Sequence, residues 1–179
     1  MNDLSQTRLW LMRAAFVAVV MVIVFFHLLP LDTTPRRWAA PDLVLGFACA
    51  WSLRRPEYVP AWLLAAVFLL TDFLLQRPPG LWAMLALIGC ENLKGRARGL
   101  RGASFPVEWM TVSAVVIAIT LLNRLVLAVS FVPTPGLNLS LFEMGMTLLF
   151  YPLIVLTTHM LMGVRKSAPG DLERMGQRI

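Results

Sequence analysis

Six apolar stretches punctuated by cations and prolines decide what this chain can fold into. They run roughly over Leu9–Leu31, Pro41–Leu53, Tyr58–Leu75, Gly80–Leu93, Pro106–Val132 and Leu141–Val164. With 58% hydrophobic and only 15% charged residues, a chain of 179 residues has too little polar surface to cover so much apolar sequence in water. Lipid can solvate it instead. In hydrocarbon each backbone amide must be satisfied within its own segment, so the stretches read as helices.

The charges give this layout a direction. If all six stretches cross a bilayer and Met1 is cytoplasmic, one side holds Arg8, Arg13, Arg54, Arg55, Lys94, Arg96, Arg98, Arg101, Arg165, Lys166, Arg174 and Arg178. The other side holds Arg36, Arg37 and Arg77, and Arg124 falls inside a span. Twelve cations against three is a strong positive-inside bias, which predicts that both termini are cytoplasmic. The net charge of +6 lies on span flanks, where anionic headgroups account for it. No basic stripe stands elsewhere, which argues against nucleic acid as a partner.

The connections, chiefly Asp32–Ala40 and Lys94–Ser104, leave no room for a soluble domain, so residues 1–179 read as one helical membrane domain. No small-x-small cleavage site follows the first span, which therefore reads as an uncleaved anchor. Pro41–Leu53 and Gly80–Leu93 are short of the roughly 20 residues a full crossing needs, so they could be partly re-entrant. Pro41, Pro79 and Pro106 sit where first helical turns would begin. Ser140 and Glu143 have capping-box spacing. Pro152 should free the carbonyl of Leu148 inside the sixth span.

Ionisable groups within spans need partners. Arg124 and Glu143 lie at similar depth on consecutive spans, which predicts an interhelical ion pair. Asp72, with Arg77 close by, reads as a locally paired or helix-packing residue. Glu91 should offset Lys94 or Arg98, and Glu108 should complement the dipole at the start of the fifth helix. Cys49 and Cys90 read as buried thiols without a disulfide or metal site. No Gly-x-Ser-x-Gly, phosphate-binding loop, His-Glu-x-x-His or dinucleotide turn is present, so neither an enzyme nor a cofactor is expected. The uncharged, Pro-rich outer segment Val132–Asn138, probed at Leu137, reads as a surface that a partner could cover.

Several motifs carry a resemblance. Pro41-Asp42-Leu-Val-Leu-Gly-Phe-Ala-Cys-Ala-Trp51 is followed by Arg55-Pro56-Glu57. Thr71-Asp72-Phe-Leu-Leu leads to Gly80-Leu-Trp-Ala-Met-Leu, an Asp followed eight residues later by Gly. Tyr151-Pro152-Leu-Ile leads to Gly163-Val-Arg-Lys166. This layout resembles the bacterial rod shape-determining MreD family. The resemblance implies a compact bundle of about six transmembrane helices, similar to the substrate-binding subunits of energy-coupling-factor transporters. It implies a non-catalytic role in lateral peptidoglycan synthesis, with MreC, MreB, RodA and its partner transpeptidase as partners and Asp72 and Gly80 in a packing or contact turn. The rival readings are a small-molecule-binding transporter subunit, which needs an outward-facing polar pocket, and an intramembrane enzyme, which needs two convergent catalytic groups.

Overall fold

The computed structural model describes residues 2–29, 40–100, 102–132 and 136–162. The tail cations after Gly163, the connection around Arg36, Arg37 and Trp38, Arg101 and Thr134 lie outside the described residues. Among the described residues every regular element is helical: α1 (Asn2–Leu28), α2 (Leu43–Arg54), a 3-10 turn (Pro56–Tyr58), α3 (Ala61–Leu74), α4 (Leu81–Ala97), α5 (Phe105–Val129) and α6 (Leu137–Met162). Three of these helices are long and apolar enough to cross a membrane, over Gln6–Leu28, Phe105–Val129 and Leu137–Met160. The others are shorter: α2 has 12 residues and α3 has 14, or about 18 and 21 Å at 1.5 Å per residue.

The shortest α-helix is the most enclosed. Nine residues of α2, from Val44 to Leu53 with Phe47 excepted, are buried. It packs against α4, α6 and α1, while α3 lies on α4 and α1, and α5 closes against α4 and α6. Trp51 is the centrepiece, fully buried with Phe16 at 5.3 Å and Tyr58 at 6.1 Å between ring centroids. Small residues let α4 approach its neighbours. A Cβ on Gly89 would stand 2.6 Å from Ile119 Cδ1 and 2.9 Å from Val115 Cγ1, so α4 and α5 meet at a glycine. Cys49 on α2 and Cys90 on α4 are both buried, as free thiols.

Outward faces are as apolar as inward ones. Trp10, Phe25, Phe26, Trp62, Phe73, Ile88, Met110, Leu125, Leu149 and Met160 are all exposed. A helix that is hydrophobic all round belongs in a nonpolar surrounding.

Helix ends follow local chemistry, with two departures from the sequence reading. Pro106 does sit in the first turn of α5. Pro41 and Pro79 instead precede the caps Asp42 and Gly80. Ser140 is not an N-cap either. α6 starts three residues earlier, and the carbonyl of Gly136 accepts from Leu139 and Ser140. Pro152 lies within α6, and the carbonyl it frees on Leu148 accepts from Trp109 Nε1 at 3.0 Å.

Candidate functional site

Polar contacts gather at the two ends of the bundle. At one end, α2 finishes where α5 begins. Arg54 Nε and Nη2 donate to Glu108 Oε1 and Oε2 at 2.8 and 3.1 Å, and Tyr151 Oη donates to Oε1 at 3.1 Å. Glu108 is fully buried, so this is an interhelical clamp rather than a dipole complement alone. Arg13 reaches the Glu57 carbonyl at 3.4 Å and lies 5.0 Å from the Trp10 ring. Glu91 does offset Lys94, at 2.6 Å.

At the opposite end, the start of α2, the α3–α4 turn and the start of α6 converge. Asp42 caps α2 by accepting from Leu45 N–H at 2.9 Å, and its own N–H donates to Thr147 Oγ1 at 2.8 Å. Thr147 in turn donates to the Glu143 carbonyl at 2.7 Å. Arg77 bridges the two carboxylates, Nη1 to Asp42 and Nη2 to Glu143, each at 3.2 Å, with its guanidinium 5.0 Å from the Trp82 ring. Burial alone would lower the Arg77 pKa, but the charges of Asp42 and Glu143 prevail and hold it above its ordinary value.

Asp72 has a different task from the local pair expected with Arg77. It is fully buried at the end of α3, and its Oδ2 accepts from the N–H groups of Gly80 at 3.0 Å and Ala83 at 3.1 Å. It therefore caps α4 from the preceding helix. Gly80 has φ +89°, in the left-handed region where a side chain would be strained. The eight-residue spacing from Asp72 to Gly80 is the reach of this turn.

The expected Arg124–Glu143 ion pair is corrected. Among the described residues, Glu143 pairs with Arg77, and Arg124 Nη1 donates to Ser140 Oγ at 2.6 Å. It is Arg77, from the α3–α4 turn, that reaches Glu143. Arg124 and Glu143 do share a cavity of about 280 Å³. Its walls come from α2, the α3–α4 turn, α4, α5 and α6, with Gln76, Thr120 and Asn123 adding polar groups beside the charges. Leu137 is exposed at the head of α6 and does not line this cavity, while residues 133–135 of the proposed outer surface lie outside the described residues.

An adjoining apolar groove of about 420 Å³ runs between α1 and the start of α2, and Asp42, Arg77 and Glu143 line it as well. The ion-pair triad thus stands as a wall between a polar cavity and an apolar groove. Among the described residues, no group of three or more His, Cys, Asp or Glu side chains could hold a metal ion. The arrangement offers hydrogen bonds and fixed charge to a polar ligand. Compared with known proteins, the chain matches no family model, no curated protein and no solved structure.

Proposed function

We propose that this chain is a non-catalytic, multi-pass component of the bacterial inner membrane that scaffolds or regulates lateral peptidoglycan synthesis, in the manner of the MreD family. Its partners in this reading are MreC, MreB, RodA and the partner transpeptidase. The observation that carries it is the Asp72–Gly80 turn. The motif on which the resemblance rests has a structural job here, closing α3 onto α4 through two backbone hydrogen bonds. The apolar exterior of α1, α5 and α6 gives lipid and partner helices a surface to meet. The interhelical clamps at both ends suit a rigid scaffold.

In this proposal all six helices cross as one bundle, with the short α2 sheathed by its neighbours and both termini cytoplasmic. The end holding Arg13, Arg54, Arg55 and Lys94 then faces the cytoplasm, following the positive-inside rule. Depletion followed by microscopy tests the function. Loss of rod shape in a rod-shaped host is expected, and retained shape would overturn the reading. Reporter fusions after Arg101 should be cytoplasmic and one at Pro135 periplasmic.

A second reading, a small-molecule-binding transporter subunit, is favoured by one observation, the polar cavity between Arg77 and Arg124. Uptake that depends on both this chain and an ATPase partner would support it over the scaffold.

A further inference from the structure

The wall between the cavity and the groove is short of positive charge. Asp42 and Glu143 share the guanidinium of Arg77, and among the described residues no other cation bonds to either carboxylate. Two carboxylates against one guanidinium leave one formal negative charge in excess. The buried carboxylate of Asp72 acts on the same guanidinium, so it does not reduce that excess. The wall is not sealed, because 36% of the Glu143 side chain and 10% of the Asp42 side chain stay exposed. On the groove side it meets an apolar lining that includes Val22, Phe26, Pro41, Leu43 and Val44. His27 also lines the groove and has an interaction of its own. Arg124 does not line it. An uncompensated charge within a bilayer is costly until a cation or a proton offsets it.

We propose that the groove between α1 and the start of α2 holds a phospholipid whose headgroup ends in an ammonium, with one acyl chain along the apolar lining and the ammonium against Asp42 and Glu143. Two properties of the groove choose this occupant. Its lining favours hydrocarbon, and its charged wall favours a cation that can donate hydrogen bonds. Bonds from an ammonium to a carboxylate are short and strong. A carboxylate has acceptor sites for more than one donor, so the ammonium adds to Arg77 rather than displacing it. The size is suited as well. About 420 Å³ takes an acyl chain but not a helix, which is about 10–12 Å across with its side chains. An anionic headgroup would face the excess carboxylate instead. The proposal rests on the chain lying in a membrane and not on the scaffold reading, so its failure would leave the cell-shape test untouched.

The test uses the full chain, purified in detergent, delipidated and offered equal amounts of phosphatidylethanolamine and phosphatidylglycerol, with retained lipid read by native mass spectrometry. Retention of the ethanolamine lipid about tenfold or more above the glycerol lipid is expected, the scale of one hydrogen bond to a charged group. Glu143→Gln removes the excess charge and should bring the two lipids close to equal retention. Val22→Trp starts from an exposed residue, changes no charge and fills the groove, so it should weaken retention of the ethanolamine lipid. Thermal unfolding midpoints control for the folding of each variant. An ethanolamine lipid with a photoreactive acyl chain, offered to the unaltered chain, should label α1 near Val22 and Phe26. Equal retention of the two lipids by the unaltered chain would overturn the proposal, as would photoadducts confined to helices other than α1 and α2. So would undiminished selectivity in a folded Glu143→Gln variant, or undiminished retention in a folded Val22→Trp variant.

Discussion

Arg54 grips Glu108 through two parallel hydrogen bonds, at 2.8 and 3.1 Å, and so joins the last turn of α2 to the first turn of α5. Neither the carboxylate nor most of the guanidinium sees solvent. Removing one partner should strand the other, at a cost of about 3–5 kcal/mol. Glu108→Ala is expected to lower the unfolding midpoint in detergent sharply. The paired replacement Arg54→Met with Glu108→Leu should lose much less. A double variant no better than the single would show that the clamp is not the source of the loss.

Arg77 serves two carboxylates at once, and Lys cannot reproduce that fork. Arg77→Ala leaves Asp42 and Glu143 facing each other, and a loss of about 1–3 kcal/mol is expected for hydrogen bonds to charged groups. Adding Glu143→Gln should return part of it, because it removes one of the two facing charges. Accumulation in membranes and midpoint shifts, measured for both variants, decide the point.

The turn from α3 to α4 makes a paired prediction. Asp72→Ala takes the acceptor from the part-buried N–H of Gly80 and the buried N–H of Ala83, costing about 1–3 kcal/mol. Gly80→Ala keeps the carboxylate but forces a side chain into the left-handed region, costing about 1–2 kcal/mol. Both should loosen the start of α4, seen as faster hydrogen exchange over Leu81–Leu85. Unchanged exchange in Asp72→Ala would refute its capping role.

Two glycines should respond differently to the same substitution. At Gly46 a new Cβ meets the far end of Ile154 at 2.5 Å, which a rotamer change can relieve. At Gly89 it meets both Ile119 and the stiff Val115, so Gly89→Ala should cost about 1–3 kcal/mol as overpacking. The midpoint of Gly46→Ala should fall less. The reverse order would mean that α4 and α5 can separate more easily than their packing suggests.

The indole of Trp109 supplies the hydrogen bond that Pro152 removes from α6. Trp109→Phe should cost about 1 kcal/mol in the presence of Pro152. In a Pro152→Ala background, where the helix provides its own donor, the loss should shrink. A double-mutant cycle on unfolding midpoints measures the difference.

Much of this was legible along the chain. Helix positions followed from apolar stretches, the freed Leu148 carbonyl from Pro152, and the choice of Lys94 or Arg98 for Glu91 from its place before the basic loop, of which the structure pairs it with Lys94. These are local quantities. Partner choice between helices was not legible, because depth in a span is a one-dimensional reading while pairing also needs the rotation of each helix about its axis. Arg124 and Glu143 agreed in depth, yet Arg77 took the carboxylate. Arg54 and Glu108 stand 54 residues apart, and the packing of α2 and α5 on the same two helices, α4 and α6, brings them together. Asp72 was read as paired with Arg77 or as a helix-packing residue, and its packing takes the form of a cap on the next helix.

Cys49 and Cys90 have no exposed surface. The native chain is therefore a silent background for thiol chemistry, and single cysteines could be placed on any helix and read with membrane-impermeant maleimides without first deleting the natural pair. Labelling of the unaltered chain would have a meaning of its own: it would report the moment at which α2 and α4 come apart.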